Sequence, residues 1–132
     1  MVVIHPVSDM LIRIKNAYQV GKRTVEVDYS KILNEIAKLL LKEGYLKNVK
    51  EEKVDKNFKK IKLTLKYRSH RPSLTTIKII SKPGLRIYAK VDKIPQVREG
   101  IGITIVSTPK GLMTRKEARK VNLGGEVICQ IW

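Results

Sequence analysis

The chain has 132 residues, enough for one domain or two small subdomains, and its 28 Lys and Arg against 12 Asp and Glu give a net charge of +16. Such a surplus would repel itself in a compact fold, so a polyanionic partner is expected to neutralise it. A membrane surface would require a basic helix with a bulky apolar face, and the single Phe and single Trp lie in no such segment. These numbers favour nucleic acid as the partner, and no membrane partner is expected.

The first half of the chain predicts a small α/β subdomain over residues 1–67. Apolar residues recur at helical spacing from Val7 to Tyr18, and Ser30 can cap a second helix that ends at Gly44. In chain order, the predicted elements are a helix over residues 7–18, a strand over 24–27, a helix over 31–43, and strands over 45–49 and 61–67, with a charged hairpin loop over 50–60. This half therefore has the order α-β-α-β-β.

The polar segment 68–73 breaks both periodicities and is the predicted linker. Beyond it, residues 74–132 predict a β-rich subdomain with short helices. Its predicted elements are strands over 74–80, 85–88, 103–106 and 126–131, a turn at Pro83-Gly84, one helical turn within 92–97, and a short helix that begins at the capping box of residues 114–117. The fold class that follows is α+β, with two small subdomains.

Acidic residues are unevenly distributed along the chain. Between Asp55 and Asp92 there is no Asp or Glu, whereas the same window holds eleven Lys and Arg. A second basic group comprises Arg115, Lys116, Arg119 and Lys120. A solubilising surface accounts for scattered lysines but not for eleven cations with no acid among them. The pattern predicts polyanion binding without identifying the polyanion.

Enzyme chemistry has little support in the sequence. Cys129 lies in an apolar strand pattern, where cysteine is usually a small core residue, and nothing indicates that His5 or His70 pairs with it. No Cys and His spacing suits zinc, and neither a dinucleotide fingerprint nor a phosphate-binding P-loop is present. We expect no catalytic residue, no cofactor, no metal and no small-molecule substrate. The single cysteine and the absence of a secretory signal predict a soluble cytosolic protein.

The segment Ser107-Thr108-Pro109-Lys110-Gly111 offers hydroxyls, an ammonium group and a glycine that lets backbone approach a partner. Short hydroxyl side chains suit contacts to base edges, 2′-hydroxyls and phosphates of RNA. The same composition also suits an ordinary connection from a buried strand to the capped helix, and spacing alone favours that interpretation.

Longer runs around this segment resemble a known family. Residues 102–114 (GITIVSTPKGLMT), with Ala118-Arg119 and residues 124–129 (GGEVIC), resemble the C-terminal signature of the ribosomal protein S8 family. Residues 81–88 (SKPGLRIY) and 9–17 (DMLIRIKNA) match the same family, so the resemblance runs from end to end. Pro109 departs from it, because members commonly carry a second serine there; the substitution removes a hydroxyl and a backbone N–H.

The resemblance implies a structural component of the small ribosomal subunit, in the cytoplasm or in an organelle. Members bind an irregular stem in the central domain of small-subunit rRNA early in assembly, mainly through the C-terminal subdomain. Neighbouring small-subunit ribosomal proteins are further implied partners. Some members also repress their own operon by binding a similar mRNA structure, which makes the chain's own mRNA a possible partner.

Carried over by position, the implied RNA-binding residues occupy four segments. They are Ser107, Thr108, Lys110 and Gly111 in the loop, Arg86 and Tyr88 on a neighbouring strand, Gly125 and Glu126 beside them, and Arg13, Lys15 and Asn16 on the N-terminal helix. An acid is unusual on an RNA-binding surface. We expect Glu126 either to orient the hydroxyl of Ser107 or Thr108 or to be an exposed acid at the start of its strand.

The alternative is a general basic nucleic-acid-binding or architectural module without rRNA specificity. It would require a recognition helix or a dimer seam, and the basic helix predicted over residues 115–121 is short. A protein whose cations serve only solubility is a third possibility. Affinity for an rRNA stem and for duplex DNA across salt concentrations separates the three.

Overall fold

The structure is a computed structural model that describes residues 4–97 and 101–132, with side chains described from residue 6 onward. In chain order its elements are α1 (Ile4–Gln19), β1 (Thr24–Asp28), α2 (Lys31–Lys42), β2 (Leu46–Lys53), β3 (Lys59–Leu65), β4 (Tyr67–Arg68), β5 (Arg71–Pro72), β6 (Ile77–Ile79), β7 (Tyr88–Ala89), a 3₁₀ turn (Val91–Lys93), β8 (Ile103–Thr108), β9 (Gly111–Thr114), α3 (Arg115–Val121) and β10 (Gly125–Ile131). They form two compact units: an N-terminal unit of residues 6–75 and a C-terminal unit built mainly from residues 76–132. The predicted α+β fold class is confirmed.

The N-terminal unit contains the predicted α-β-α-β-β order. Met10, Leu11 and Ile14 are fully buried on one face of α1. Met10 and Leu11 lie four and three residues before Ile14, about one helical turn, so the three side chains share that face. At the start of α2, the Ser30 hydroxyl accepts a hydrogen bond from the Leu33 amide at 3.2 Å. That bond satisfies one of the amide donors that a helix leaves without an intrahelical partner.

The three strands of this unit form an antiparallel sheet in the order β1-β3-β2. Ile61, Leu63 and Leu65 are buried on one face of the central strand, and alternate residues lie on the other face. The predicted loop over residues 50–60 was too long, because β2 continues to Lys53 and β3 begins at Lys59. Charged residues extend β2 without cost since an edge strand with one solvent-facing side accepts them.

Segment 68–73, predicted as a linker, contains part of a two-stranded hairpin. Its strands are β4 and β5, which pair antiparallel through Tyr67 with Pro72 and Arg68 with Arg71. The connecting residues Ser69 and His70 both have positive φ angles, 49° and 66°. Two-residue strands leave no periodic signal, so the sequence pattern predicts an irregular segment here.

In the C-terminal unit, β10 pairs with three strands, and the sheet order is β6-β10-β8-β9 with β7 also paired to β10. Helix α3 covers one face through a cluster of Ile94, Val106 and Ala118, against which Ala89 and Met113 pack. The capping box predicted at the start of α3 is confirmed by its two reciprocal hydrogen bonds. The strand predicted over 85–88 was too long and too early, since only Tyr88 and Ala89 pair with β10.

The predicted strand-to-helix loop 107–111 is wrong in its topology. Ser107 and Thr108 end β8, and Gly111 already begins β9, so the chain makes a tight β-hairpin turn before α3. Thr108 and Gly111 are paired across the turn, and Gly111 has a φ of 114°, which L side chains rarely adopt. The candidate residues therefore lie at the ends of two paired strands and not in a strand-to-helix loop.

Candidate nucleic-acid interface

Three of the predicted RNA-binding residues form one row across the C-terminal sheet. Tyr88 on β7 lies opposite Glu126 on β10, and Glu126 lies opposite Ser107 on β8. The row continues to Leu112 on β9. Since the next residue along β8, Val106, packs with α3, strand alternation directs this row to the opposite face of the sheet. Antiparallel pairing therefore brings together side chains that lie up to 38 positions apart in sequence.

Tyr88 presents an aromatic ring at one end of the row. Its side chain is 66% exposed, the second most exposed aromatic or aliphatic position in the C-terminal unit after Ile101 at 67%. A concavity of about 790 Å³ opens beside it, between β7 with the 3₁₀ turn and the segment that enters β10. Arg86 is also exposed and precedes the ring by two residues. This end of the row offers an exposed aromatic ring, and Arg86 adds a positive charge two residues away in the chain.

Glu126 occupies the middle of the row and is half-buried. Its Oε2 atom is shielded from solvent and accepts no hydrogen bond from the described residues. A buried acceptor without a donor is costly, and a carboxylate oxygen more so than a neutral one. The free protein therefore holds an acceptor whose hydrogen-bonding capacity is open to an incoming donor.

The Thr108 hydroxyl has a structural role in the turn. It donates to the Gly111 carbonyl at 2.8 Å and accepts from the Lys110 amide at 3.2 Å, and the side chain is only 8% exposed. Its single proton therefore is not donated to Glu126, contrary to one form of the expectation for that carboxylate. Ser107 is half-buried, and Pro109 and Lys110 are exposed at the tip. Thr108 shapes the turn that presents its neighbours.

Gly125 allows the two central strands to approach each other. A Cβ atom at this position would lie 2.0 Å from the Ser107 carbonyl oxygen, a distance that no real side chain shows. Any larger residue would push β10 away from β8 and separate Glu126 from Ser107. The prediction grouped Gly125 with the RNA-contacting residues, and the structure gives it a positioning role in the same site.

Ser81, which sequence reasoning did not select, fixes the segment that carries Arg86 and Tyr88. Its fully buried hydroxyl donates to the Val127 carbonyl at 2.7 Å and accepts from the Ile87 amide at 3.0 Å. The Val127 amide in turn donates to the Ile87 carbonyl at 2.9 Å. No sequence periodicity indicates such a bridge, because Ser81 and Val127 are 46 residues apart.

The N-terminal unit carries the other predicted contacts, on α1. Arg13 and Asn16 border a concavity of about 670 Å³ together with residues of β1. The Arg13 guanidinium donates to the Glu26 carbonyl at 3.1 Å, which holds it against that strand. Lys15 does not border this concavity. It lies about 200° around the helix from Arg13, so the structure separates it from the other two.

Cys129 is completely buried, and desolvation raises the pKa of its thiol from the ordinary 9.0 to about 12. It remains a protonated core residue at neutral pH, where only the thiolate is a strong nucleophile. Within residues 4–97 and 101–132, no cluster of three or more His, Cys, Asp or Glu could hold a metal ion. In the same described ranges no helix has the length and apolar character to cross a membrane.

Comparison with known proteins agrees with the family resemblance of the motifs. Residues 5–132 match the family model described as ribosomal protein S8. The chain belongs to the ribosomal protein S8 family. It is 52% identical to small ribosomal subunit protein uS8 of Caldanaerobacter subterraneus subsp. tengcongensis and 49% identical to that of Clostridium novyi, in each case over the full length of both chains. It is also 47% identical over full length to the protein of the same name from Mycoplasmopsis synoviae.

The family assignment made from the three sequence motifs is thus confirmed. The C-terminal motifs of this S8 family member include residues of β7, β8 and β10, which meet at the row of Tyr88, Glu126 and Ser107. Pro109, the departure from the family pattern, lies at the exposed tip of the β8–β9 turn. Pro109 itself is not one of the residues of the row.

Proposed function

We propose that this protein is a structural component of the small ribosomal subunit that binds an irregular stem in the central domain of small-subunit rRNA and assists assembly. The observation that carries the proposal is the row of Tyr88, Glu126 and Ser107 on the sheet face opposite α3. Membership of the S8 family and a net charge of +16 support it. The names of the full-length relatives support the ribosomal role.

The row suits recognition of bases that are accessible outside a regular helix. A-form RNA conceals its base edges in a deep, narrow groove, so sequence-specific contacts require bulged or unpaired nucleotides. The ring of Tyr88 offers a stacking surface, and the Ser107 hydroxyl can donate or accept a hydrogen bond. The Glu126 carboxylate can only accept, which selects an amino or imino N–H of a base over a phosphate oxygen.

Cations outside the row are assigned to the RNA backbone. Lys110 at the turn, Arg86 before β7, and Arg13 and Lys15 on α1 supply positive charge, and the Asn16 amide can donate. Thr108, Gly111 and Gly125 act by shaping and spacing the strands that carry the row. Contacts to phosphates fix the position of the protein, and contacts to bases select the sequence.

The remaining partners follow from the same site. Neighbouring small-subunit proteins complete the assembly, and a stem of similar shape in the chain's own mRNA would present the same base edges. The three compared relatives come from bacteria, which favours a cytoplasmic ribosome over an organellar one. A non-enzymatic role fits the family and the buried, protonated Cys129.

The test measures binding to three probes across salt concentrations: a transcript of the rRNA central-domain stem, a regular RNA duplex of equal length, and a DNA duplex. Specific recognition predicts a preference for the irregular stem that persists at high salt, because counterion release contributes equally to all three probes at equal contact number. Equal affinities with one common salt slope would overturn the proposal and support a general basic nucleic-acid-binding module.

A further inference from the structure

A second cationic feature lies in the N-terminal unit, at the β4–β5 hairpin. Arg68 and Arg71 are directly opposite each other in the antiparallel register and are both exposed. Side chains in such a pair project from the same face with their Cβ atoms about 5 Å apart. The hairpin therefore presents two guanidinium groups side by side.

Like charges that face each other across a hairpin repel and destabilise it. The sequence has no Asp or Glu between Asp55 and Asp92, so no carboxylate close in the chain relieves this pair. Two other like-charged pairs, in the β2–β3 ladder, differ in this respect. Lys62, which faces Lys50, also faces Glu26 on β1, and the pair of Lys53 and Lys59 borders a concavity shared with Asp28 and Asp55. Of the three pairs, the arginine pair is the one beside which neither the strand register nor the sequence window places an acid.

The turn between the two arginines is strained as well. Ser69 and His70 have φ angles of 49° and 66°, in the left-handed region that favours Gly and Asn. Strained backbone persists where the surrounding structure holds it and is concentrated at ligand-binding sites. Both turn residues are exposed, so their polar side chains are accessible at the tip between the guanidinium groups.

The base of the hairpin is firmly held. The Tyr67 hydroxyl donates to the Lys22 carbonyl at 2.6 Å, and the Tyr67 ring packs edge-to-face on Tyr18 with centroids 5.3 Å apart. The Ser73 amide donates to the Lys66 carbonyl at 3.0 Å, which closes the hairpin. A rigid base lowers the backbone part of the entropic cost of binding through the two arginines. Lys22 itself is exposed at this base and adds positive charge.

We propose that the β4–β5 hairpin is a separate RNA-backbone site, in which Arg68 and Arg71 bind phosphate groups of a duplex segment. Guanidinium groups match phosphate oxygens with two parallel hydrogen bonds, and phosphate supplies the negative charge that the pair lacks in the free protein. The inference rests on the proposed RNA-binding function and extends it to a surface that no base-reading residue occupies. RNA is favoured over an acidic protein because the site is purely cationic and has no apolar anchor at its tip.

The test uses the full chain with Arg68→Gln and Arg71→Gln combined. The matched control is Lys31→Gln combined with Lys38→Gln. These two exposed lysines of α2 each lie about one helical turn from an acid, Glu35. Binding to the central-domain transcript and to a regular RNA duplex is measured between 50 and 200 mM salt. For two lost phosphate contacts the slope of log K against log salt is expected to fall in magnitude by about 1.8. Over this salt range the wild type then loses about 12-fold more affinity than the variant.

Stability gives a second readout with the opposite sign. Removing the repulsion should leave the melting temperature equal or higher, whereas a structural role for the arginines would lower it. Arg68→Lys with Arg71→Lys keeps both charges and should restore the wild-type slope.

The outcomes separate the two proposals. An unchanged slope in the double Gln variant, or an equal fall in the control, overturns the hairpin site and leaves an acidic protein as the remaining class of partner. If the wild type binds the irregular stem no more tightly than the regular duplex, the proposed function is overturned instead. The hairpin would still be tested on the regular duplex, because its contact is to the backbone.

Discussion

Substitution of Glu126 by Gln tests the centre of the row. The change keeps the shape of the side chain, removes its charge, and replaces one acceptor oxygen with an amide that donates. Oε2 is shielded from solvent and accepts no hydrogen bond from the described residues. In the free protein, replacing a buried charged acceptor should therefore stabilise the fold or leave it unchanged.

RNA binding should respond in the opposite direction. If a base N–H donates to the carboxylate, the variant loses a hydrogen bond to a charged group, which is worth about 1.5–3 kcal/mol. At 1.4 kcal/mol per tenfold, affinity for the irregular stem should fall about 10- to 150-fold. Long-range electrostatics alone predicts the reverse sign, because removing a negative charge from a protein that binds a polyanion strengthens binding. The sign of the effect therefore distinguishes base recognition from charge attraction.

Filter binding at one salt concentration measures the affinity, and thermal unfolding measures the stability. Asp92→Asn is the control, since Asp92 is an exposed acid that borders the neighbouring concavity. It should bind the stem as tightly as the wild type or more tightly. If the Glu126 variant shows the same strengthening, the carboxylate accepts nothing from RNA and the reasoning is refuted.

Three further predictions follow from the strand ends and the core. Ser107→Ala should weaken binding to the irregular stem about 3- to 10-fold with stability unchanged, whereas Thr108→Ala should also lower the unfolding free energy by about 1–2 kcal/mol; equal stabilities in urea unfolding would contradict the separation of their roles. Gly125→Ala should destabilise the protein by about 3 kcal/mol or more, because its Cβ would overlap the backbone of β8, and a wild-type urea midpoint would disprove that packing. The thiol of Cys129 has its pKa raised to about 12 by burial, so folding stability should fall between pH 9 and 12, by up to about 1.4 kcal/mol per pH unit. Unfolding midpoints of Cys129→Ala should decline less steeply over that range.

Signals that act over a few residues predicted their elements correctly. Ser30 and the Thr114–Glu117 box each satisfy amide donors within one turn of helix, so the residues that decide the structure are adjacent in sequence. The prediction for the β8–β9 turn was wrong because its sequence signal is ambiguous. It depends on one hydroxyl of Thr108 that bonds to Lys110 and Gly111, and the same residue types also suit a strand-to-helix loop.

The candidate site was predicted as a set of residues but not as an arrangement. Family motifs selected Tyr88, Glu126 and Ser107, whereas the row that joins them depends on antiparallel register across three strands. Register is a property of the whole sheet, and a shift of one residue would reverse the face on which every side chain lies. The role of Ser81 could not be predicted, because a buried hydroxyl that bridges the Val127 carbonyl and the Ile87 amide leaves no local sequence pattern.

Under the proposed function, affinity and specificity for RNA reside in different residues of this protein. The row contains the carboxylate of Glu126, the phenol of Tyr88 and the hydroxyl of Ser107, so it contributes no positive charge and little to the salt slope. The cations lie around it and on the other unit, with two of them opposed at the β4–β5 hairpin. Substitutions in the row should therefore change the preference between RNAs at a constant slope, and substitutions of cations should change the slope at a constant preference. A variant of Tyr88 that altered both equally would show that stacking and phosphate binding are coupled, and the division between the two surfaces would fail.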